Sequence, residues 1–308
     1  PSGAPAADSG TLGARPPADG LTVTLAVGTS LFDERFGLRA RRPGGLFTMG
    51  SFPNDKLEAA WCGGDLLLSI CAGSADAVLH ALRELLRALR GSVRVRWRID
   101  GSASPPRPAG VPRNHHGFHD GIANPDVART AVARELLWAT GERGARAWTN
   151  GGTYQVCRLI RMLTDPWDAL ALREQELIIG RRRDSGAPLG ERSALDLPDY
   201  RSDPRGRVIP LGAHIRLANP RTPATDHSRI LRRGFNYDRG IDSQGRLDVG
   251  LVFNCYQRDI RRQFETVQAR LRHEPMAPFI VPFGGGYFFI LPGVLGPGDW
   301  LGRQMLEA

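Results

Sequence analysis

The pattern of apolar and polar positions divides the chain into recognisable elements. Residues 21–27 form an apolar run closed by a Gly-Thr-Ser turn, and a short helical piece is expected near 32–36. Residues 65–72 are almost continuously apolar, as a strand covered on both faces requires. Val78, Leu79, Leu82, Leu85, Leu86 and Leu89 then recur at helical spacing, opposite His80, Arg83, Arg87 and Arg90. Gly91 follows where a helix C-terminus favours glycine. Val93, Val95, Trp97 and Ile99 alternate with Arg94, Arg96, Arg98 and Asp100, which is strand period. After a Pro/Ser/Gly linker at 101–112, residues 153–162 read as a strand, and Asp165-Pro166 opens a helix over 167–179. A polar, Gly- and Pro-punctuated loop at 180–206 comes next. Strands are expected at 229–237 and 249–256, a helix carrying Ile260, Phe264, Val267 and Leu271, and a last strand at 287–291.

Strand, helix, strand, strand, helix, strand is the order of a ferredoxin-like split β-α-β unit. The first half reads as a weaker version of it. The fold expected is therefore α+β, with two ferredoxin-like domains and antiparallel sheets, divided at 21–145 and 146–308. Residues 1–20 are Gly, Ala, Pro, Ser and Asp with almost nothing to bury, so they are expected to be disordered. The sequence starts at Pro1 rather than Met, which fits either a cleaved export signal or a trimmed chain. No apolar run has the length of a membrane span.

The net charge of +9 rests on arginine, since Lys56 is the only lysine. Arg181-Arg182-Arg183 has no interleaved aromatics and sits in the polar loop, so a solvated loop is the better reading than a nucleic-acid contact. Cys62, Cys71, Cys157 and Cys255 are far apart. With no Cys-x-x-Cys among them, zinc ribbons, iron–sulfur clusters and covalent c-type haem are disfavoured.

The stretch at 114–125, Asn-His-His-Gly-Phe-His-Asp-Gly-Ile-Ala-Asn-Pro, carries the chemistry of most interest. Gly117 and Gly121 allow positive φ or close approach of the backbone to a flat ligand, and Asn124-Pro125 stops the segment. Taken bare, Asp120-Gly121 is a turn. Three histidines here, without a carboxylate or Cys partner, make a poor metal site. His80 and His273 read as solvated and His227 as a turn residue. His214 lies in a short apolar run taken as extended, beside Arg216, which is suited to pair with a carboxylate. On composition alone His214 reads as a core histidine.

Gly117-Phe118-His119-Asp120-Gly121 followed by Asn-Pro resembles the signature of the dye-decolourising peroxidases, and Ala213-His214-Ile215-Arg216 followed by Asn-Pro resembles their proximal segment. Further matches are Gly151-Gly152-Thr153-Tyr154, 174–181 and Gly284-Gly285-Gly286-Tyr287-Phe288-Phe289, in the family's order, over residues 21–293. The resemblance implies one non-covalent haem b, its pocket between sheet and helices mainly of the second domain. His214 would then be the axial ligand of the iron, and Asp120 and Arg232 the catalytic pair, with Arg233 the rival arginine. Gly117, Phe118, Gly121, Ile122, Arg216, Leu251 and Phe253 would line the cofactor. The acid that usually supports the proximal His falls at Pro278, so Glu274 and Asp259 are the substitutes, and a weakened support would raise the iron potential. Gly234 stands where another subgroup carries a distal Asn.

The implied reaction is a peroxidase cycle. Asp120 shuttles the proton of hydrogen peroxide, Arg232 stabilises the departing negative charge, and a ferryl intermediate oxidises dyes, phenols or another donor. The donor is an aromatic compound or a protein, and the enzyme a monomer or homo-oligomer. Bulky donors would be oxidised through Tyr154, Tyr237, Tyr256 or Trp138. The resemblance is to the exported bacterial subgroup with a twin-arginine signal; cytoplasmic residence is the alternative. A haem-binding or haem-iron-releasing protein of the same fold, of deferrochelatase type, is the competing function.

Overall fold

The computed structural model describes residues 6–13, 16–105, 107, 110–140 and 146–307. The expected boundary at 145 falls in 141–145, outside the described residues. In chain order the elements are β1 Thr22–Gly28, β2 Leu66–Cys71, α1 Ala75–Ala88, α2 Thr130–Leu136, β3 Thr153–Met162, α3 Thr164–Asp168, α4 Leu172–Ile179 and α5 His214–Ala218. They continue with β4 Leu231–Arg232, β5 Phe235–Ile241, β6 Leu247–Gln257, α6 Thr266–Arg270, β7 Ile280–Ile290 and α7 Arg303–Glu307.

All strand pairs are antiparallel, in the order β2-β1-β7-β3-β6-β4, with β5 also pairing β6. The fold is α+β and ferredoxin-like, as the element order implies, and the two halves share one sheet because Ala26 of β1 registers with Ile290 of β7. β4 and β5 are one run on β6, broken at Arg233-Gly234. Antiparallel register places Arg232, Cys255, Val156 and Tyr287 in one row across β4, β6, β3 and β7, on the same face. That face carries the main core, in which Val156, Cys255, Phe264, Tyr287 and Phe289 are buried.

Several expectations are corrected. β2 is an edge strand with Leu66 and Leu68 exposed on one face, so its apolar run does not mean two covered faces. Residues 93–99 form no ladder. Their alternation seats Trp97 and Ile99 against the core, while Arg96 donates to the Cys62 and Ala59 carbonyls. The helix expected over 167–179 is split into α3 and α4, where the Glu174 carboxylate accepts from the Ala171 N–H. The helix expected to carry Ile260, Phe264, Val267 and Leu271 opens with a π-helical turn, Arg261–Glu265, before α6. Within the stretch 1–20 expected to be disordered, the described Ser9 lies on the polar face of α1, donating its N–H to Glu84 and bonding His80. Polar contacts hold it, which an apolar-pattern reading does not register.

Candidate functional site

The loop that carries Asp120 folds on itself before it meets the sheet. Gly117 and Gly121 have φ of +84° and +93°, left-handed backbone that glycine adopts without strain. Asn114 accepts from the N–H groups of His116 and Phe118 through its side chain, and Asp120 donates its own N–H to the Pro112 carbonyl. This fixes the Asp120 carboxylate 3.0 Å from Nη1 of Arg232, with the two side chains 18% and 28% exposed. Asn124 ties the loop to β4: its Oδ1 accepts from the Arg232 N–H at 2.9 Å and its Nδ2 donates to the Arg232 carbonyl at 2.8 Å. Arg233 borders the same cavity but lies over the ring of Phe235, and Arg232 is the arginine that pairs with Asp120. A Cβ on Gly234 would stand 3.0 Å from the Asp120 carboxylate and 3.1 Å from Leu251, which explains a glycine there. Asp120, Gly121, Arg232 and Leu251 border a cavity of about 260 Å³.

His214 is the first residue of α5, a helix rather than the extended run expected. Its Nδ1 lies 2.6 Å from Oε2 of Glu274, a buried carboxylate. An Nδ1–H donating to that carboxylate fixes the tautomer and leaves Nε2 its lone pair for a metal. Glu274 thus stands where the sequence pattern suggested Pro278, which lies in the 3-10 turn Ala277–Phe279. Asp259 is occupied elsewhere, accepting from the Arg262 N–H. Arg216 is also taken up: it donates to Asp203 and to the Ile209 carbonyl and stacks on Tyr200, so it offers no free cation to a ligand.

A second cavity of about 660 Å³ is lined by Ile122, Pro125, Leu195 and Leu197, by Arg181, Arg201, Arg221 and Arg229, and by Asp126, Asp196 and Asp226, with Arg229 paired to Asp226; Asn124 borders both cavities. Arg181 is buried, not the solvated residue expected, and burial lowers its pKa to about 10. Arg221 has a positive φ and a buried Nε without a partner. Arg181 and Arg221, which make no salt bridge to a carboxylate among the described residues, stand with apolar residues in this lining and suit an apolar molecule bearing carboxylates. His214 borders neither cavity, and it is by the chemistry of its donors, an imidazole with Nε2 free and these two arginines, that the set fits haem. Arg181 ends the family-like segment 174–181 without being singled out there, and nothing in the local sequence marks Arg221.

The remaining expected residues fall into two groups. Gly121, Ile122 and Leu251 border the cavities, whereas Phe118 is buried against Trp167, Gly117 faces Arg183, and Phe253 belongs to the core beside Phe264. Tyr154 and Tyr237 are buried, Tyr256 has its pKa pushed up to about 12 by burial, and Trp138 is exposed. Among the described residues no group of three His, Cys, Asp or Glu converges as a metal site. His119 bonds the Val111 and Asp184 carbonyls, and His116 is stacked on Trp167 at 4.4 Å.

The sequence matches the family described as "Dyp-type peroxidase, C-terminal" over residues 111–295 and its N-terminal counterpart over 1–102. The chain belongs to the Dyp-type peroxidase family. It is 48% identical to a deferrochelatase of Shigella flexneri over 98% of this chain and 73% of that protein, and 47% identical to that of Escherichia coli strain K12 over the same shares. It superposes on the DyP-type peroxidase of Cellulomonas bogoriensis with a TM-score of 0.85 at 37% identity, covering 94% of this chain and 79% of that one. Ferric DtpA from Streptomyces lividans gives 0.84 at 35% identity, covering 94% and 78%. DyPB from Rhodococcus jostii RHA1, at 21% identity and a TM-score of 0.67 over 88% and 79%, shares the fold. The Dyp-type peroxidase chain described here is accordingly a haem-dependent oxidoreductase that uses hydrogen peroxide, and no helix among its described residues is long and apolar enough to cross a membrane.

Proposed function

We propose that this Dyp-type peroxidase holds haem through His214, with Glu274 as the group that orients the imidazole, and reacts with peroxide at Asp120 and Arg232. The Asp120–Arg232 contact carries this reading, because a proton carrier and a permanent cation face one small cavity. Bound haem supplies the redox chemistry. Asp120 takes the proton from one peroxide oxygen and returns it to the other, and Arg232 stabilises the negative charge that develops as the O–O bond breaks. Arg181 and Arg221 meet the carboxylates of the haem, in place of Arg216. The donors are dyes or phenols, the two domains divide near 145, and the protein is exported by the twin-arginine route, as in the subgroup it resembles.

Stopped-flow reaction of haem-loaded protein with peroxide tests the roles. Asp120→Asn should slow it about 10²–10⁴-fold and remove its solvent deuterium effect. Arg232→Leu should slow it about 10²–10³-fold and keep that effect, because the guanidinium stabilises charge without moving the proton. A deuterium effect that survives Asp120→Asn and vanishes in Arg232→Leu would reverse the assignment. The relatives named deferrochelatase support a second reading, release of iron from haem as substrate. Iron-free porphyrin fluorescence after incubation with haem and a reductant distinguishes it, and fractionation of cells expressing the full-length gene tests export.

A further inference from the structure

Arg233 takes no part in the Asp120–Arg232 contact, yet it borders the same cavity of about 260 Å³. It is exposed and forms no salt bridge among the described residues. Its guanidinium lies over the ring of Phe235, 5.6 Å from the centroid. Stacking engages the face of the guanidinium and leaves the N–H fork along its edge for a ligand.

The other charges of the lining are accounted for. Arg232 is paired with Asp120 at 3.0 Å. Arg113 donates to the carbonyls of Gly117, Arg183 and Asp184. Three arginines and one aspartate make the lining net positive, and a cleft of one sign gathers counterions. Val111, Pro112, Phe235 and Leu251 give the same cavity an apolar wall. Its volume of about 260 Å³ is under the roughly 300–1,000 Å³ of sites for drug-sized ligands. The occupant is therefore small, apolar at one end and anionic at the other. Hydrogen peroxide does not fit that description, because it is uncharged at neutral pH.

We propose that this cavity binds a small monocarboxylate through Arg233, and that the bound anion keeps hydrogen peroxide from Asp120. The carboxylate meets the guanidinium fork, a bidentate geometry that arginine matches and lysine does not. Asp120 does not expel it, because Arg232 offsets the aspartate charge. Binding of the anion stands on the lining alone, whereas the competition with peroxide rests on the reading of Asp120 and Arg232 proposed above. No covalent bond changes; occupancy by an organic acid lowers the rate at which peroxide reaches the site.

Acetate is the probe, titrated calorimetrically into haem-loaded protein at constant ionic strength, with acetamide as its uncharged counterpart. Acetate should bind wild type and acetamide should not. Arg233→Met should weaken acetate binding by about tenfold, the low end for a hydrogen bond to a charged group, and Arg233→Lys should restore part of it. In stopped flow, acetate should slow the peroxide-induced Soret change of wild type, and more peroxide should relieve the slowing. In Arg233→Met the same slowing should need about tenfold more acetate. No acetate binding by wild type, or equal affinity in wild type and Arg233→Met, overturns the site, and so does equal affinity for acetamide. Acetate that binds through Arg233 without slowing the reaction overturns the competition. Absence of any peroxide-induced Soret change in wild type, beside acetate binding that depends on Arg233, would instead sink the peroxidase reading of Asp120 and Arg232.

Discussion

The His214–Glu274 and Asp120–Arg232 pairs each join distant parts of the chain, but they are held by different means. Glu274 is 6% exposed and meets His214 directly at 2.6 Å. Asp120 and Arg232 stay partly open, and Asn124 holds them from behind through the Arg232 backbone. A group whose orientation is set once, as a metal-binding imidazole is, tolerates a buried partner. A pair that must meet a small substrate has to keep its polar atoms reachable, so its positioning is passed to the main chain. The first pair depends on a buried charge and the second on two neutral hydrogen bonds, and substitutions separate the two.

The largest effect belongs to the imidazole itself. His214→Ala should lose tight haem binding, whereas His227→Ala, in the turn Asp226–Ser228, and His119→Ala keep it. Spectral titration with haem decides, and a normal ferric spectrum in the His214 variant would end the proximal assignment.

Acid should loosen the distal side first. His116, on the Asp120 loop, is buried with both ring nitrogens unpartnered, and burial, aided by His115, lowers its pKa from 6.5 to about 4. Its neutral form is thus the folded one, while the unfolded chain takes up the proton below about pH 6.5. Stability from this group is whole above that pH and drains as pH falls to about 4, by about 3 kcal/mol. Denaturant midpoints across pH should fall less steeply in His116→Phe, which keeps the stack on Trp167. An equal slope in the two proteins would show that His116 does not carry the effect.

Glu274→Gln is the matching test on the proximal side. A neutral amide still accepts the Nδ1 proton but makes the imidazole less basic, so the ferric/ferrous potential should rise and haem affinity fall by about 10–100-fold. The raised potential expected from Pro278 is therefore transferred from the native protein to this variant. An unchanged potential would mean that Glu274 orients the ring without tuning the iron.

Legibility followed the range of the interactions. The ladders at residues 153–162 and 249–256 and the packing face of α1 are written in local period, and so they could be read directly. Asp120 and His214 came from the family resemblance of two short motifs; taken bare, the first reads as a turn and the second as a core histidine. Glu274 was one of two substitutes because its meeting with His214 depends on how α5 and the turn after α6 pack. Arg216 went astray for the same reason: Asp203, on the long loop, takes its charge. Residues 93–99 misled through a true signal, since alternation buries Trp97 and Ile99 with or without a strand partner.

The smallest expected effect tests the clamp. Asn124→Ala removes two hydrogen bonds to the Arg232 backbone, at about 0.5–1.5 kcal/mol each in stability. It leaves Asp120 and the whole proximal side chemically unchanged, so haem affinity and potential should not move. With β4 only two residues long, Arg232 then gains freedom relative to Asp120. The peroxide reaction should slow by about tenfold, short of the roughly 10²-fold that a 1 Å misplacement can cost. Asn124→Asp retains the acceptor for the Arg232 N–H, loses the donor to its carbonyl, and adds a carboxylate on the same loop. It should fall between wild type and Ala in rate at low pH and drop further as its own carboxylate ionises. Stopped-flow rates in the three proteins, beside their melting temperatures, separate the possibilities. A lower melting temperature in Asn124→Ala with an unchanged peroxide rate would make the clamp a fold contact only, and the contrast between the two pairs would then lie in burial alone.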